Sequence, residues 1–209
     1  YLYILTRRKT MAKSKSKAKK QTKIVSAICL LLSVLLLVTF FMPTYTKTVG
    51  DTTYTYNGIT MLQGASMSDE DAAKLTLETA GSGISGILGN DTSKEVKAKT
   101  QKLNAYTMYH DEDAGAYKVT VYLNIAVLVA GAVLMVASLL SLLTGKLSLF
   151  DLIAGLFAVV VSIVLMICAG VASKYFTTSL STMAMGVGVW FAMISSVLAL
   201  GSQAVGKFV

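Results

Sequence analysis

The sequence predicts a mainly α membrane protein: a four-helix transmembrane bundle with a small antiparallel β-rich extracytoplasmic domain between its first and second helices. Three observations carry that expectation. Of 209 residues, 54% are hydrophobic and only 14% charged, against roughly 25% charged in an average soluble domain. Four long apolar stretches contain no Asp, Glu, Lys, Arg or His. The segment between the first two is long enough to fold, and its ends alternate polar and apolar residues as half-buried strands do.

The four stretches are residues 24–42, 122–143, 152–173 and 183–204, each close to the ~20 residues that cross a hydrocarbon core as a helix. Lipid offers no partner to an unsatisfied backbone amide, so helices are the economical reading. Thr39, Phe40, Phe41 and Met42 provide no small-x-small cleavage site. The first span therefore reads as an uncleaved signal anchor rather than a signal peptide.

Charge sets the orientation. The net charge is +8, but residues 1–23 carry nine basic and no acidic side chains, while residues 43–123 carry seven lysines against ten acids. Basic residues beside a span stay cytoplasmic. The tail 1–23, the turn 144–151 with Lys146 and the end 205–209 with Lys207 are then expected inside, and 43–121 and 174–182 outside. Phe40, Phe41, Tyr45, Tyr122, Tyr175 and Phe176 are expected to form an aromatic belt at the outer interface.

The chain begins at Tyr1, whereas Met11 and the residues after it read as a translation start. Residues 1–10 are set aside as non-native. N-terminal sequencing of the protein from its host should begin no earlier than Met11, and a native start upstream of Tyr1 would contradict this. Lys13, Lys15, Lys17, Lys19, Lys20 and Lys23 remain in the tail. They are candidates for contact with an anionic inner leaflet, worth roughly 1 kcal/mol each near the surface. No aromatic or folded module accompanies them, so nucleic acid is not an expected partner.

Small residues recur at four-residue spacing: Ala154, Ala158 and Ser162 in span three, and Ala184, Gly188, Ala192 and Ser196 in span four. Such rows let membrane helices approach closely. They read as packing within one bundle; a face for a second copy or a membrane-protein partner is the alternative. Span one is leucine-rich, with Ser26, Cys29 and Ser33 on one face, and is expected to pack loosely or face lipid. The lack of ionisable residues within the spans speaks against proton relays and voltage sensors. Asp151 reads as half of a capping box with Ser148. Cys29 and Cys168 lie at different depths and read as packing residues, not a disulfide.

In the outer segment, residues 44–49 and 52–62 around Gly50 and Asp51 read as a hairpin. Residues 103–110 and 116–122 read as a second, with Tyr117, Val119 and Val121 on one face. Two helices are expected between them. One covers 69–80, capped by Ser68 with Asp71 and stopped by Gly81; the other covers 93–102, capped by Thr92 with Glu95. The sheet is expected to join the two ends of this segment. An exported eukaryotic domain of this size often carries a disulfide, so the absence of cysteine here favours a bacterial cell membrane.

Gly81, Gly83 and Gly86 match the dinucleotide fingerprint, but they follow a helix where that motif needs a preceding strand. They read as a flexible apolar loop, and no cofactor is expected. His110, Asp111, Glu112 and Asp113 could offer oxygens to a hard cation, yet they also suit a solvated turn, which is the reading taken. Asn90 and Thr92 form a glycosylation sequon. No nucleophile, base and orienting group occur together, so catalysis is not expected.

Four spans, strands after the first and a short second outer loop resemble the claudin and peripheral-myelin tetraspan order of elements. The resemblance covers that order alone. The tryptophan and paired cysteines of the claudin first loop are missing, and the one tryptophan, Trp190, lies in span four. The expected function is that of a non-enzymatic structural or interaction protein presenting its outer domain. The alternative is a small channel or transporter, or an accessory subunit of one, with that domain as a lid.

Overall fold

The computed structural model describes residues 2–87, 93–147 and 149–208, and the side chains of 19–81, 94–147 and 149–207. The elements run α1 (Leu2–Val38), a 3₁₀ turn (Thr39–Phe41), β1 (Tyr45–Val49), β2 (Thr52–Tyr56), α2 (Gly58–Ala65), α3 (Asp69–Ile87), α4 (Ser93–His110), α5 (Gly115–Thr144), α6 (Leu149–Tyr175), β3 (Ser181–Met185) and α7 (Val187–Phe208). Four segments are long and apolar enough to cross a membrane: Lys19–Phe41, Gly115–Thr144, Leu149–Tyr175 and Val187–Lys207. The chain divides into two compact units, one of Tyr1–Leu37, Val127–Ser162 and Phe191–Val209, the other of Val38–Ala126 and Ile163–Trp190.

The first unit is helical. Leu134, Ala137, Ala154 and Ala199 form its core, with Leu32 and Val133 against them. Ala158, Ser162, Ala192 and Ser196 are also buried. Side chains this small allow close backbone approach, which is how helices gain contact where lipid is as apolar as the protein. Buried hydroxyls turn back onto their own helices: Ser33 Oγ donates to the Leu30 carbonyl at 2.7 Å and Ser196 Oγ to that of Met193 at 2.9 Å. Such bonds satisfy a polar group at little cost to the helix. The outward faces are aliphatic, with Leu31, Val136, Leu143, Leu156 and Leu198 exposed.

Span one is somewhat less buried than the other three, as expected, and its buried positions fall on one side. Ser26, Cys29, Ser33 and Leu36 recur at helical spacing and are all buried, while Ile24, Ile28, Leu31 and Val34 are exposed. The small polar side of α1 is its packed side, because small residues permit contact and leucines suit an apolar exterior. Cys29 Sγ lies 3.0 Å from Ser202 Oγ on α7, and both cysteines are free thiols.

The second unit holds a three-stranded antiparallel sheet in the order β2-β1-β3. In its register Tyr45 lies opposite Tyr56 on one side and Met185 on the other, and Lys47 opposite Tyr54 and Met183. Gly50, at φ +56°, makes the tight turn between β1 and β2. This corrects the expected sheet in three places. The second strand stops at Tyr56 because Asn57 caps α2, its Oδ1 accepting from the Thr60 amide at 2.9 Å.

The second hairpin does not form; residues 103–110 and 116–122 belong to α4 and α5. Tyr117, Thr120, Val121 and Asn124 are buried whereas Val119 is 45% exposed. Positions 117 and 121 fit a two-residue and a four-residue period alike, and continuity with the following apolar run decides for helix. The third strand comes from residues 181–185, so Ala184 stands in β3 and not in a row of helix-packing residues.

Ser68 does cap α3: its Oγ accepts from the Asp71 amide at 3.2 Å and donates to the Asp71 carboxylate at 2.7 Å. Gly81 does not end that helix, which continues to Ile87. Lys99 bridges α3 and α4, pairing with Glu78 at 3.2 Å and Glu95 at 3.1 Å. The expected caps by Thr92 and Ser148 and the Asn90 sequon lie outside the described residues.

Helix α2 rests on α4 through Gly64, where a Cβ would stand 2.7 Å from both the Ala105 Cβ and the Tyr106 amide nitrogen. Two backbones cannot yield as a flexible side chain does. Gly64→Ala should destabilise the protein by about 1–3 kcal/mol, read as a lower Tm in detergent; an unchanged Tm would contradict this packing.

Candidate functional site

The sheet of the second unit has one face covered and one groove left open. Tyr45 and Tyr56 share a face of the sheet and are fully buried, as is Tyr117 of α5. The rings of Tyr45 and Tyr117 stack at 5.6 Å between centroids. Tyr45 donates its hydroxyl to Thr120 Oγ1 at 3.0 Å, and Thr44 donates to Asn124 Oδ1 at the same distance. These bonds join β1 to α5 and satisfy polar groups that burial would otherwise penalise.

Further along the same face, Lys47, Val49 and Tyr54 stand opposite Thr100 and Asn104 of α4 and beside Leu180, lining a groove of about 370 Å³. Gln101 donates its side-chain amide to the Thr55 carbonyl, fastening α4 to the edge strand β2. The Lys97 ammonium lies 5.9 Å from the centre of the Tyr54 ring, within cation–π range. Leu180 is 83% exposed and Val49 41%, so the mouth of the groove is apolar.

Burial alone lowers the pKa of Lys47 from the usual lysine value. Among the described residues Lys47 enters no ion pair; the pairs there are Lys74 with Glu70, and Lys99 with Glu78 and Glu95. The groove thus combines a partly desolvated cation, a tyrosine face and apolar lips.

The four residues considered for metal are not gathered into a site. His110 ends α4, its Nδ1 3.1 Å from the Tyr106 carbonyl oxygen and its ring against Tyr106. Asp111 Oδ1 accepts from the Asp113 amide at 3.1 Å and from the Tyr175 hydroxyl at 3.2 Å, while Glu112 is exposed. Among the described residues no three His, Cys, Asp or Glu are placed to hold a metal ion. The cluster forms the turn between α4 and α5, which explains its acids through solvation and local bonding.

The glycine fingerprint lies within the run of α3, so it extends a helix where a phosphate site needs one to begin. This also corrects the expected flexible loop. Of the six aromatics assigned to an interface belt, Phe41, Tyr122 and Tyr175 are exposed, whereas Tyr45 and Phe40 are buried. Phe40 packs on Gly58. Gly188 lies against the Pro43 carbonyl, to which its amide donates at 2.9 Å.

Lys19, Lys20 and Lys23 are exposed on α1; the side chains of Lys13, Lys15 and Lys17 lie outside the described residues. Asp151 is buried and accepts from Ser141 Oγ at 2.6 Å. The groove around Lys47 had no signature in the sequence, because its walls come from β1, β2, α4 and the residues before β3.

Burial pushes the Tyr56 hydroxyl up to about 12, with Asn104 beside it pulling the other way. An unfolded tyrosine loses its proton near ~10. Between those values the folded chain keeps a proton that the unfolded chain has lost, so stability falls as pH rises through the interval. Two pH units correspond to roughly 2–3 kcal/mol. Tyr56→Phe should therefore move alkaline unfolding, followed by circular dichroism, to higher pH; an unmoved or earlier transition would contradict the assignment.

No protein-family model, curated protein or solved structure matches this chain.

Proposed function

We propose that the chain is a multi-pass protein of a bacterial cell membrane, with both termini cytoplasmic, and that it acts without catalysis by presenting residues 43–121 outside to a protein partner. Four apolar helices support the membrane part of this reading. The orientation is supported by the basic tail and by Lys146 and Lys207, which fall inside under the same rule. The partner is taken at the groove of Lys47, Tyr54 and Leu180. The observation that carries this is the exposed apolar mouth beside a half-buried lysine that no carboxylate pairs among the described residues.

An acidic or carbonyl-rich segment would neutralise or accept from Lys47, while its apolar side chains would cover Leu180 and Val49. Removing the partner's share of such a contact is costly, because a desolvated charge is then left unpaired.

A photo-crosslinking residue in place of Leu180, in the otherwise native chain in its own membrane, should yield one discrete heavier adduct. Lys47→Glu should reduce that adduct by about tenfold or more, while one in place of Leu156, on the aliphatic exterior of α6, should yield only lipid adducts. No protein adduct at Leu180 would overturn the proposal, as would saturable solute flux through the purified protein in vesicles.

A further inference from the structure

Three lysines from three separate parts of the chain meet at one cavity of the first unit. Lys19 comes from α1, Lys146 from the turn after α5 and Lys207 from the end of α7; with Thr22 and Thr144 they line a cavity of about 540 Å³. The convergence is built into the backbone. Gly145 takes φ +66° and closes α5, its amide donating to the Ser141 carbonyl at 2.8 Å. A Cβ on Gly145 would lie 2.9 Å from both Cγ and Cε of Lys19, so the lysine stem runs directly over this glycine.

We propose that this cavity binds the phosphate of an anionic phospholipid headgroup. The inference rests on the membrane reading above and adds a defined site to it. Three ammonium groups lining one cavity repel one another, and among the described residues none of them forms an ion pair. The only acid nearby in sequence, Asp151, is buried and bonded to Ser141.

A positive charge at a helix C-terminus is favourable in itself, which covers Lys146 and Lys207. It does not cover Lys19, which stands well inside α1. A phosphate in the cavity would accept from these ammoniums, while the Thr144 hydroxyl in its wall is already committed to the Leu140 carbonyl at 2.9 Å.

Position distinguishes a lipid phosphate from a free one. Lys19 opens one apolar segment and Lys207 closes another, and Lys146 lies in the short turn between two more. All three therefore fall at the headgroup level of a bilayer, where basic pockets between spans hold acidic lipids. Leu143, Leu149 and Phe150 flank the turn and are exposed, offering an apolar surface to the acyl chains.

The test uses the full chain in phosphatidylcholine nanodiscs containing a minor fraction of phosphatidylglycerol, at physiological salt, where charges a Debye length apart are screened. The readout is the ratio of phosphatidylglycerol to phosphatidylcholine retained on detergent release, by native mass spectrometry. The K19Q/K146Q/K207Q variant should lower that ratio on the order of 100-fold and K207Q alone by about fivefold. The equally discharged K74Q/K94Q/K102Q variant, whose three exposed lysines lie on α3 and α4, should leave it within about threefold.

Equal loss from both triple variants would overturn the site in favour of diffuse attraction. Lysine-dependent binding of inorganic phosphate without any lipid preference would overturn the lipid assignment. Carbonate-resistant insertion into phosphatidylcholine alone is scored first. Failure there overturns the membrane reading and the site with it, whereas insertion without phosphatidylglycerol selectivity overturns the site alone.

Discussion

The constraint on which the rest depends is that four helices carry aliphatic side chains on the faces they do not pack. Leu31, Leu143 and Ile167 are 72%, 71% and 57% exposed, and covering a residue of that size is worth roughly 1.5–3 kcal/mol. A water-soluble chain would bury such side chains and expose polar ones. This one places serines, alanines and small polar groups at its helix contacts. Ser26, Ser33, Ser162 and Ser196 are buried where a soluble core would have leucine. An inverted distribution of this kind is stable when the surroundings are themselves apolar.

The second unit answers a different demand, since strands cannot leave backbone groups unpaired. Strand β1 is central, bonded to its neighbour in sequence on one side and to a strand from far along the chain on the other. The pairing with β3 brings the residues before α7 to the residues after the 3₁₀ turn. The Gly186 amide donates to the Thr44 carbonyl at 2.7 Å and that of Gly188 to Pro43 at 2.9 Å. Glycine is required at 186 because a side chain there would strike the Pro43 backbone. The open groove follows from the same arrangement, as α5 packs Tyr117 on the Tyr45 end of the sheet while Thr100 and Asn104 of α4 form only one wall beside Lys47 and Tyr54.

Features set by local chemistry were legible in the sequence. The apolar segments need only composition and length, and the Ser68–Asp71 cap needs only four consecutive residues. The hairpin turn at Gly50 was equally local. Errors arose where a local pattern fitted two periods, as at Tyr117, Val119 and Val121, or where a short polar signal was overlooked, as with Asn57 before α2. Strand β3 was read as part of the fourth span because methionine and alanine suit both settings, and its partner lies too far away in sequence to be inferred. The Lys47 groove and the lysine cavity were invisible for a related reason. Each is a meeting of residues with ordinary local surroundings, and only the tertiary fold makes them neighbours.

Sidedness is the claim from which the functional reading descends, and substituted-cysteine labelling tests it most directly. In a chain with Cys29 and Cys168 replaced by serine, a cysteine would be placed at Leu77 on α3 or at Lys146 in the turn after α5. A membrane-impermeant maleimide should label position 77 in intact cells and position 146 only after permeabilisation. Labelling in the opposite sense, or of both positions in intact cells, would contradict that sidedness.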